Sequence, residues 1–421
     1  MERRRTAVVG GGIAGLTAGY ILRNACDVSL YEADDRLGGH ADTHEVTEAD
    51  GRVLAIDTGF IVHNERTYPN LLRLFAELGV TTQESEMSMS VRCDGCGLEY
   101  AGARGLSGVL ARPRTALRPR ALRMFGEVPA FHRKARRLLA ADEGPGDPTL
   151  GRFLADGRFS AYFVAHFITP LVCSVWSCAP ATAMEYPARY LFRFLDRHGL
   201  LAVTGSPQWR TVTGGSAAYV RRIRKQLAAV HTGAPVRAVH RSADGVRIVT
   251  ADGTASDHDA VVLAVHPDQA LRLLADPTPA ETAVLGAFPY SRNPTVLHTD
   301  ASVLPRARRA RASWNYLMPS CDAPAEQVRI GYHMNRLQRL DASEDYIVSL
   351  NAEGLVDPAR VIASMVYEHP VYTPESVAAQ RLLPSLNTPV TAYAGAYHGW
   401  GFHEDGCRSG VEAASALGVS W

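Results

Sequence analysis

Lysine is almost missing from this chain. Of its 44 basic residues, Lys134 and Lys225 are the two lysines and the other 42 are arginines. A GC-rich coding bias explains such a skew, but lysine and arginine are not interchangeable in chemistry, so the consequence outlasts the cause. Long apolar runs are missing too. No stretch of about 18 uninterrupted apolar residues occurs, which excludes a membrane-spanning helix. There is no HExxH, GxSxG or Walker sequence, so zinc proteolysis, serine hydrolysis and nucleoside-triphosphate use have no support. Excess charge of either sign is absent as well: the formal net charge is +1, which is no polycation seeking nucleic acid. Cysteine is sparse and odd in number, seven in all, which argues against a disulfide framework and fits a reducing cytoplasm. Cys93-Asp-Gly-Cys96 is one CxxC without a second pair; it reads as a turn between strands, and no metal is expected.

What is present is a long chain with a substantial core: 421 residues, 46% hydrophobic and 21% charged. That length suits two domains, and the apolar fraction, unperiodic glycine and 24 prolines exclude disorder, collagen and coiled coil. The start, Met1-Glu-Arg-Arg-Arg, imitates a signal peptide, but Gly10, Gly11, Gly12 and Gly15 break the apolar run behind it. Residues 6–9 read as a buried strand, 13–23 as a helix and 28–31 as a second strand, the opening β-α-β of a doubly wound sheet. A short strand near 54–56 and a helix near 67–78 follow. Residues 105–200 read as mostly helical, interrupted at Pro113, Pro119, Pro129, Pro170, Pro180 and Pro187. Strand patterns return at 236–240, 246–250 and 260–265, and a strand, glycine loop and helix close the chain.

Gly10-Gly-Gly12-Ile13-Ala14-Gly15 matches GxGxxG, following a strand and opening a helix. Gly10 makes the turn, Gly12 admits a pyrophosphate, and Gly15 lets helix pack on strand. Glu32, 22 residues after Gly10, stands where an acid accepts from ribose hydroxyls. Arg36-Leu37-Gly38-Gly39 follows directly, and the whole resembles the extended fingerprint of flavin amine oxidases and phytoene-type desaturases. By that resemblance the cofactor is FAD, with Arg36, Gly38 and Gly39 facing the pyrophosphate and ribityl chain. Near the end, Gly395-Ala-Tyr-His398-Gly-Trp400-Gly-Phe402-His403-Glu-Asp-Gly406 resembles the closing flavin motif of that superfamily. There the backbone amides at Phe402 and His403 would meet the flavin's pyrimidine edge. Gly395 and Val236 fall at further cofactor positions by the same resemblance. Many relatives carry an acid where this chain has Ala396, so that ribityl contact is not transferred. Asp57 to Glu65, Trp314-Asn315-Tyr316 and Gly399 to Gly406 resemble one branch whose members often accompany cyclopropane fatty-acid synthases.

The resemblance implies an α/β fold (α+β overall): a Rossmann-like FAD domain from residues 1–85, 205–280 and 385–421. A substrate domain of mixed sheet plus helices, from 86–204 and 281–384, is inserted into it. In the amine oxidase branch a lysine on a substrate-domain strand holds a water against flavin N5. The matching place here is Thr295-Val-Leu-His298, which makes His298 the candidate catalytic group, with His398 and His403 as alternative proton carriers. With no lysine there, a plain amine oxidase is disfavoured. Trp314, Tyr316, Trp176 and Tyr186 are candidate pocket walls or core, and His333 and Asn335 face pocket or solvent. Glu404 and Asp405 read as a first-turn pair complementing a helix dipole. Residues 101–140 hold ten basic side chains against one acid, Glu127, a face suited to an acidic carrier protein or an anionic membrane surface, or simply to solvent. The expected function is a cytoplasmic FAD-dependent oxidoreductase taking hydride from a hydrophobic acyl, polyketide or terpenoid substrate. Redox-neutral double-bond isomerisation and a non-catalytic FAD-stabilised scaffold are the alternatives.

Overall fold

The computed structural model describes all residues except 1–2, 103–104, 145, 203–204 and 322–326, together with the side chains of 106 and 116. Met1, Glu2 and Arg104, which entered the readings above, therefore lie outside the described side chains. A five-stranded sheet gathers three distant stretches of chain in the order Ala229–His231, Cys26–Tyr31, Arg4–Val9, Ala260–Leu263, Thr391–Tyr393. Every neighbouring pair is parallel. Such strands are covered on both faces, which is why Ala7, Val8, Val261 and Val262 are continuous apolar runs with no exposure. Helix Ile13–Leu22, buried at every position, lies under one face and crosses helix His403–Ala416. Glycine permits the crossing: a Cβ on Gly406 would stand 2.7 Å from the Ile13 side chain, and one on Gly410 would strike the Ala14 carbonyl.

A second, seven-stranded sheet has the order Val361–Pro370, Tyr290–His298, Ile347–Leu350, Ile330–His333, Trp314–Met318, Met89–Cys93, Leu98–Ala101. It is mixed, since the Trp314 and Met89 strands run parallel and the others antiparallel. Helices between residues 105 and 197 pack on it around Phe131, Phe163, Tyr186 and Phe192, all fully buried. This is the mixed α/β architecture expected from the sequence.

The prolines behave as the physics of a missing N–H requires, with two differences from expectation. Pro113, Pro119 and Pro180 start helical segments, and Pro187 caps one. Pro129, however, sits inside the continuous helix Pro119–Ala140. Pro170 lies in an unbroken helical run from Ala161 to Trp176 whose middle, Val164–Ile168, is a π turn. Pro170 has no N–H for the carbonyl of His166 four residues back, and the Tyr100 hydroxyl donates to that carbonyl instead at 2.7 Å.

The Cys93–Cys96 turn does join two strands, but the expectation that it stands alone is corrected. His166 of the π turn and Cys321, after strand Trp314–Met318, come to it, and the four ligand atoms lie within 4.8 Å of one another. The basic stretch is also less free than its composition suggests. Arg118, Lys134 and Arg136 donate to the carbonyls of Cys96, Gly157 and Leu201, and Arg112 pairs with Glu99 at 2.8 Å.

Candidate active site

The loop after strand Arg4–Val9 is shaped by contacts that only glycine allows. Gly10 has φ +105°, and a Cβ there would stand 2.5 Å from the Ala264 carbonyl oxygen. A Cβ on Gly15 would collide with the carbonyl of Gly10. At Gly12, by contrast, a Cβ would meet nothing within 4 Å, so open space faces this backbone at the mouth of helix Ile13–Leu22. Glu32 is locked beside it: the Gly11 amide donates to its carboxylate at 2.6 Å and the Asp34 amide at 3.0 Å. The Gly38 amide donates to the Gly11 carbonyl at 2.8 Å, joining the second glycine loop to the first. Arg36 donates to the Gly39 carbonyl at 3.0 Å and pairs with Asp42 at 3.1 Å. Ile13 and Ala14 open the helix, and Val236 is half-buried at the start of strand Val236–Arg241.

Helix His403–Ala416 brings a second N-terminus to the cleft. Its arrangement corrects one detail of the sequence reading. The Phe402 amide is not free, because it donates to the Asp405 carboxylate at 3.1 Å, so the helix cap consumes it. The first-turn amides of His403 and Glu404 have no carbonyl four residues back within the helix, so these are the N–H groups left for a ligand. The Glu404 carboxylate instead caps helix Pro69–Leu78, accepting from the Asn70 and Leu71 amides at 3.0 Å each. The Gly395 amide donates to Ser409 at 2.9 Å, and a Cβ on Gly395 would enter the ring of Tyr397.

The three candidate histidines separate. His298 is not brought to the cleft, which is a second correction. Its Nε2 pairs with the Ser349 hydroxyl at 2.8 Å, its Nδ1 accepts from the Asp300 amide at 3.1 Å, and it is fully buried within the sheet. It lies five residues beyond Asn293 on its strand, about 17 Å along an extended chain. His403 stacks on Phe60 at 3.7 Å between ring centroids and meets the Tyr219 hydroxyl at 2.7 Å, so its ring serves the core. His398 is different: its Nε2 is buried without a hydrogen-bond partner among the described residues, and burial pushes its pKa down to about 3.

The residue that sequence reasoning passed over is His40, directly after the paired glycines. Its Nε2 is likewise buried without a partner among the described residues, and burial with nearby His369 holds its pKa well below the ordinary 6.5. Its ring lies 5.0 Å from that of Tyr367 and 5.2 Å from that of His369. The Tyr367 hydroxyl donates to Asp42 at 2.9 Å and meets Thr58 at 2.7 Å. Asn351 donates to the Asn293 side-chain oxygen at 3.0 Å, which turns the Asn293 amide nitrogen toward His369 Nδ1 at 3.1 Å. Burial keeps His369 neutral, with a pKa pushed to about 4. Arg36, Gly39, His40, His266, Tyr367 and Glu368 surround a cavity of about 300 Å³ here. The position immediately after Gly38-Gly39 was the available signal.

The other aromatic candidates divide between loop support and core. Trp176 donates its indole N–H to the Trp400 carbonyl at 3.1 Å, so it braces the closing motif. Trp314 packs edge-on to Tyr332, and Tyr186 is buried in the core with its ring 5.8 Å from Trp176. His333 pairs with Asp345 at 2.9 Å and Asn335 donates to the Glu344 carbonyl, so neither reaches the cleft. A larger cavity of about 510 Å³ lies between the helical insertion and strand Trp314–Met318. Among the described residues, no carboxylate, histidine, lysine or arginine lines it.

These residues fit FAD. Two helix N-termini converge, the face of Gly12 is open, Glu32 is fixed at the ribose position, and His40 and His398 leave buried polar atoms unsatisfied.

Comparison with known proteins agrees. The family model for flavin-containing amine oxidoreductases matches residues 13–298. Coproporphyrinogen III oxidase of Mycobacterium leprae (strain TN) is 28% identical over 304 residues, 67% of this chain and 64% of that protein. The Mycobacterium tuberculosis (strain ATCC 25618 / H37Rv) protein of the same name is 29% identical over 221 residues, 48% of this chain and 44% of its own. The match thus spans less than two thirds of the length of these relatives. Among solved structures, a fatty acid isomerase from P. acnes superposes with a TM-score of 0.70 at 17% identity, covering 99% of both chains. Putrescine oxidase bound to putrescine gives 0.69 at 16%, again over 99% of both.

Proposed function

The chain belongs to the flavin-containing amine oxidoreductase family, and from that premise we propose that this FAD-dependent oxidoreductase desaturates a hydrophobic acyl, polyketide or terpenoid substrate. The observation that carries the reading is the 510 Å³ cavity whose described wall holds no carboxylate, histidine, lysine or arginine, lined by Leu154, Phe159, Val164, Met184, Tyr316 and Met318. A pocket of that size accommodates a small molecule, and the described wall offers no counter-ion to an ammonium or to a polycarboxylate. The cavity shares no lining residue with the His40 cleft, so it would hold the apolar tail of a substrate whose reacting carbons lie at the cleft, and helix Thr169–Trp176 runs from it toward the cofactor motif. Thr169 is in the cavity wall and Trp176 holds Trp400, about 10 Å of helix apart.

The cofactor, when bound, accepts hydride at flavin N5. The chain provides the rest. Loss of a hydride and of a proton from neighbouring carbons leaves a double bond, and the proton needs an acceptor. His40 is neutral, unpartnered at Nε2 and beside Gly39, which suits it to that role. Tyr367, fixed by Asp42 and Thr58, holds one flank of its ring. Neither lysine serves here: Lys134 binds the Gly157 carbonyl and Lys225 ends helix Ala217–Arg224. Apolar ligand extracted from the purified protein, identified by mass spectrometry and returned to it without oxygen, should emerge two hydrogens lighter. Product of unchanged mass would mean redox-neutral isomerisation, and turnover of coproporphyrinogen III in preference to every apolar compound would overturn the substrate class.

A further inference from the structure

The turn Cys93-Asp-Gly-Cys96, the π-turn residue His166 and Cys321 form a compact cluster remote from the flavin cleft. Cys93 Sγ stands 3.5 Å from Cys321 Sγ, Cys96 Sγ 3.7 Å from His166 Nε2, and Cys321 Sγ 3.4 Å from the same nitrogen. A tetrahedral zinc ion with ordinary bonds, about 2.3 Å to sulfur and about 2.0 Å to nitrogen, sets S···S near 3.8 Å and S···N near 3.5 Å. These three separations lie within about 0.3 Å of the tetrahedral values, and all four ligand atoms fall within 4.8 Å of one another. We propose that Cys93, Cys96, His166 and Cys321 bind one zinc ion in a closed, structural Cys₃His site.

Several independent features of the surroundings fit a metal. His166 Nδ1 lies 3.1 Å from the Tyr162 carbonyl; donating to it fixes the tautomer and leaves Nε2 as the ligand. The Cys96 amide is directed at the Cys93 sulfur and the Leu98 amide at the Cys96 sulfur, so the CxxC turn presents N–H groups to its own thiolates. Gly97 takes φ +66° to make that turn, and a Cβ on Gly95 would stand 3.0 Å from the Cys321 amide, so glycine is what lets the two loops close together. The Arg118 guanidinium, on the Cys96 carbonyl at 2.6 Å, offsets the single negative charge of three thiolates on Zn²⁺. Mixed sulfur and imidazole ligation selects zinc over the oxygen-loving cations. Four protein ligands leave no open position, so the ion would not take part in chemistry.

The cluster lies away from the redox site. The hairpin carrying Cys93 and Cys96 forms one edge of the seven-stranded sheet, and strand Val361–Pro370, with Tyr367 and His369, forms the other. Five strand spacings separate strand Met89–Cys93 from that edge, about 24 Å. The site's role is to staple three segments of chain: the hairpin, the π turn and the loop after strand Trp314–Met318. Two of these, through Ala165 and Cys321, also wall the apolar cavity.

Metal analysis of the FAD-loaded protein, purified without chelator, should find close to one zinc per chain. Cys96→Ser and His166→Ala should each lower that content at least tenfold while the flavin spectrum is kept. Wild-type protein grown on cobalt requires no variant to fold, and should show tetrahedral d–d absorption to the red of the flavin bands. Folded, FAD-bound wild-type protein with less than a tenth of an equivalent of any metal would overturn the proposal, as would a Cys93–Cys321 disulfide in its peptide map.

Discussion

At the scale of single residues, the two glycines Gly12 and Gly15 make opposite predictions although both belong to one fingerprint. A methyl group on Gly15 strikes the Gly10 carbonyl, so Gly15→Ala should fail to give soluble folded protein. A methyl group on Gly12 meets no protein atom within 4 Å but enters the space assigned to the pyrophosphate. Gly12→Ala should therefore melt like the wild-type apoprotein while binding FAD at least about tenfold more weakly, a loss of roughly 1.4 kcal/mol; titration of the apoproteins with FAD reads it. Unimpaired FAD binding would show that the cradle lies elsewhere. The histidines separate in the same way. His40→Ala should slow anaerobic flavin reduction by at least about tenfold, since a positioned general base contributes 10²–10⁴. His298→Ala should cost stability and leave that rate alone. The glycine fingerprint and Glu32 were legible in the sequence because their chemistry is local. His298 was not, because an aliphatic pair before a histidine says nothing of how far along a strand the cofactor lies.

Elements show where local signals end. Four strands of the five-stranded sheet and its two helices follow from apolar runs and turn residues, with bounds a residue or two from expectation, whereas the short edge strand Ala229–His231 was not foreseen. The cap of helix His403–Ala416 was half legible: the acids at Glu404 and Asp405 suited a first turn. That Asp405 takes the Phe402 amide while Glu404 caps helix Pro69–Leu78 depends on tertiary packing. Asp405→Ala should destabilise the protein by about 1 kcal/mol through the lost cap, seen as a lower urea midpoint; an unchanged midpoint would deny the cap. The π turn is likewise a joint product. Pro170 removes one donor, Tyr100 replaces it 70 residues away, and His166 is turned toward cysteines from two other segments. A lone CxxC could not announce partners at positions 166 and 321.

For the molecule as a whole, burial of uncharged histidine governs the response to acid. His63, His198, His298 and His369 have pKa values pushed by burial to about 4, and His398 and His403 to about 3. The unfolded chain, with histidine near 6.5, binds more protons below that pH. Their contribution to stability is therefore complete above pH 6.5 and is lost as pH falls through 4 and 3. Asp57, raised by burial to about 6, acts oppositely, contributing below about 3.8 and losing that contribution as pH rises through 6. Six groups outweigh one, so the melting temperature should fall steadily from pH 7 to pH 4; a flat profile would contradict this. The return of the chain to the parallel five-stranded sheet was legible from the strand patterns near 260 and at the end of the chain, whereas the patterns at 236–240 and 246–250 form a separate three-stranded sheet with Ala255–His258. The apolar cavity was not legible, since its described wall combines residues from 151 to 321 that only the fold assembles. That cavity bears the central claim, and rapid anaerobic mixing tests it most directly. Long-chain acyl, polyketide or terpenoid compounds should bleach the visible flavin band, while putrescine and other amines leave it intact. Bleaching by amines alone would contradict the account.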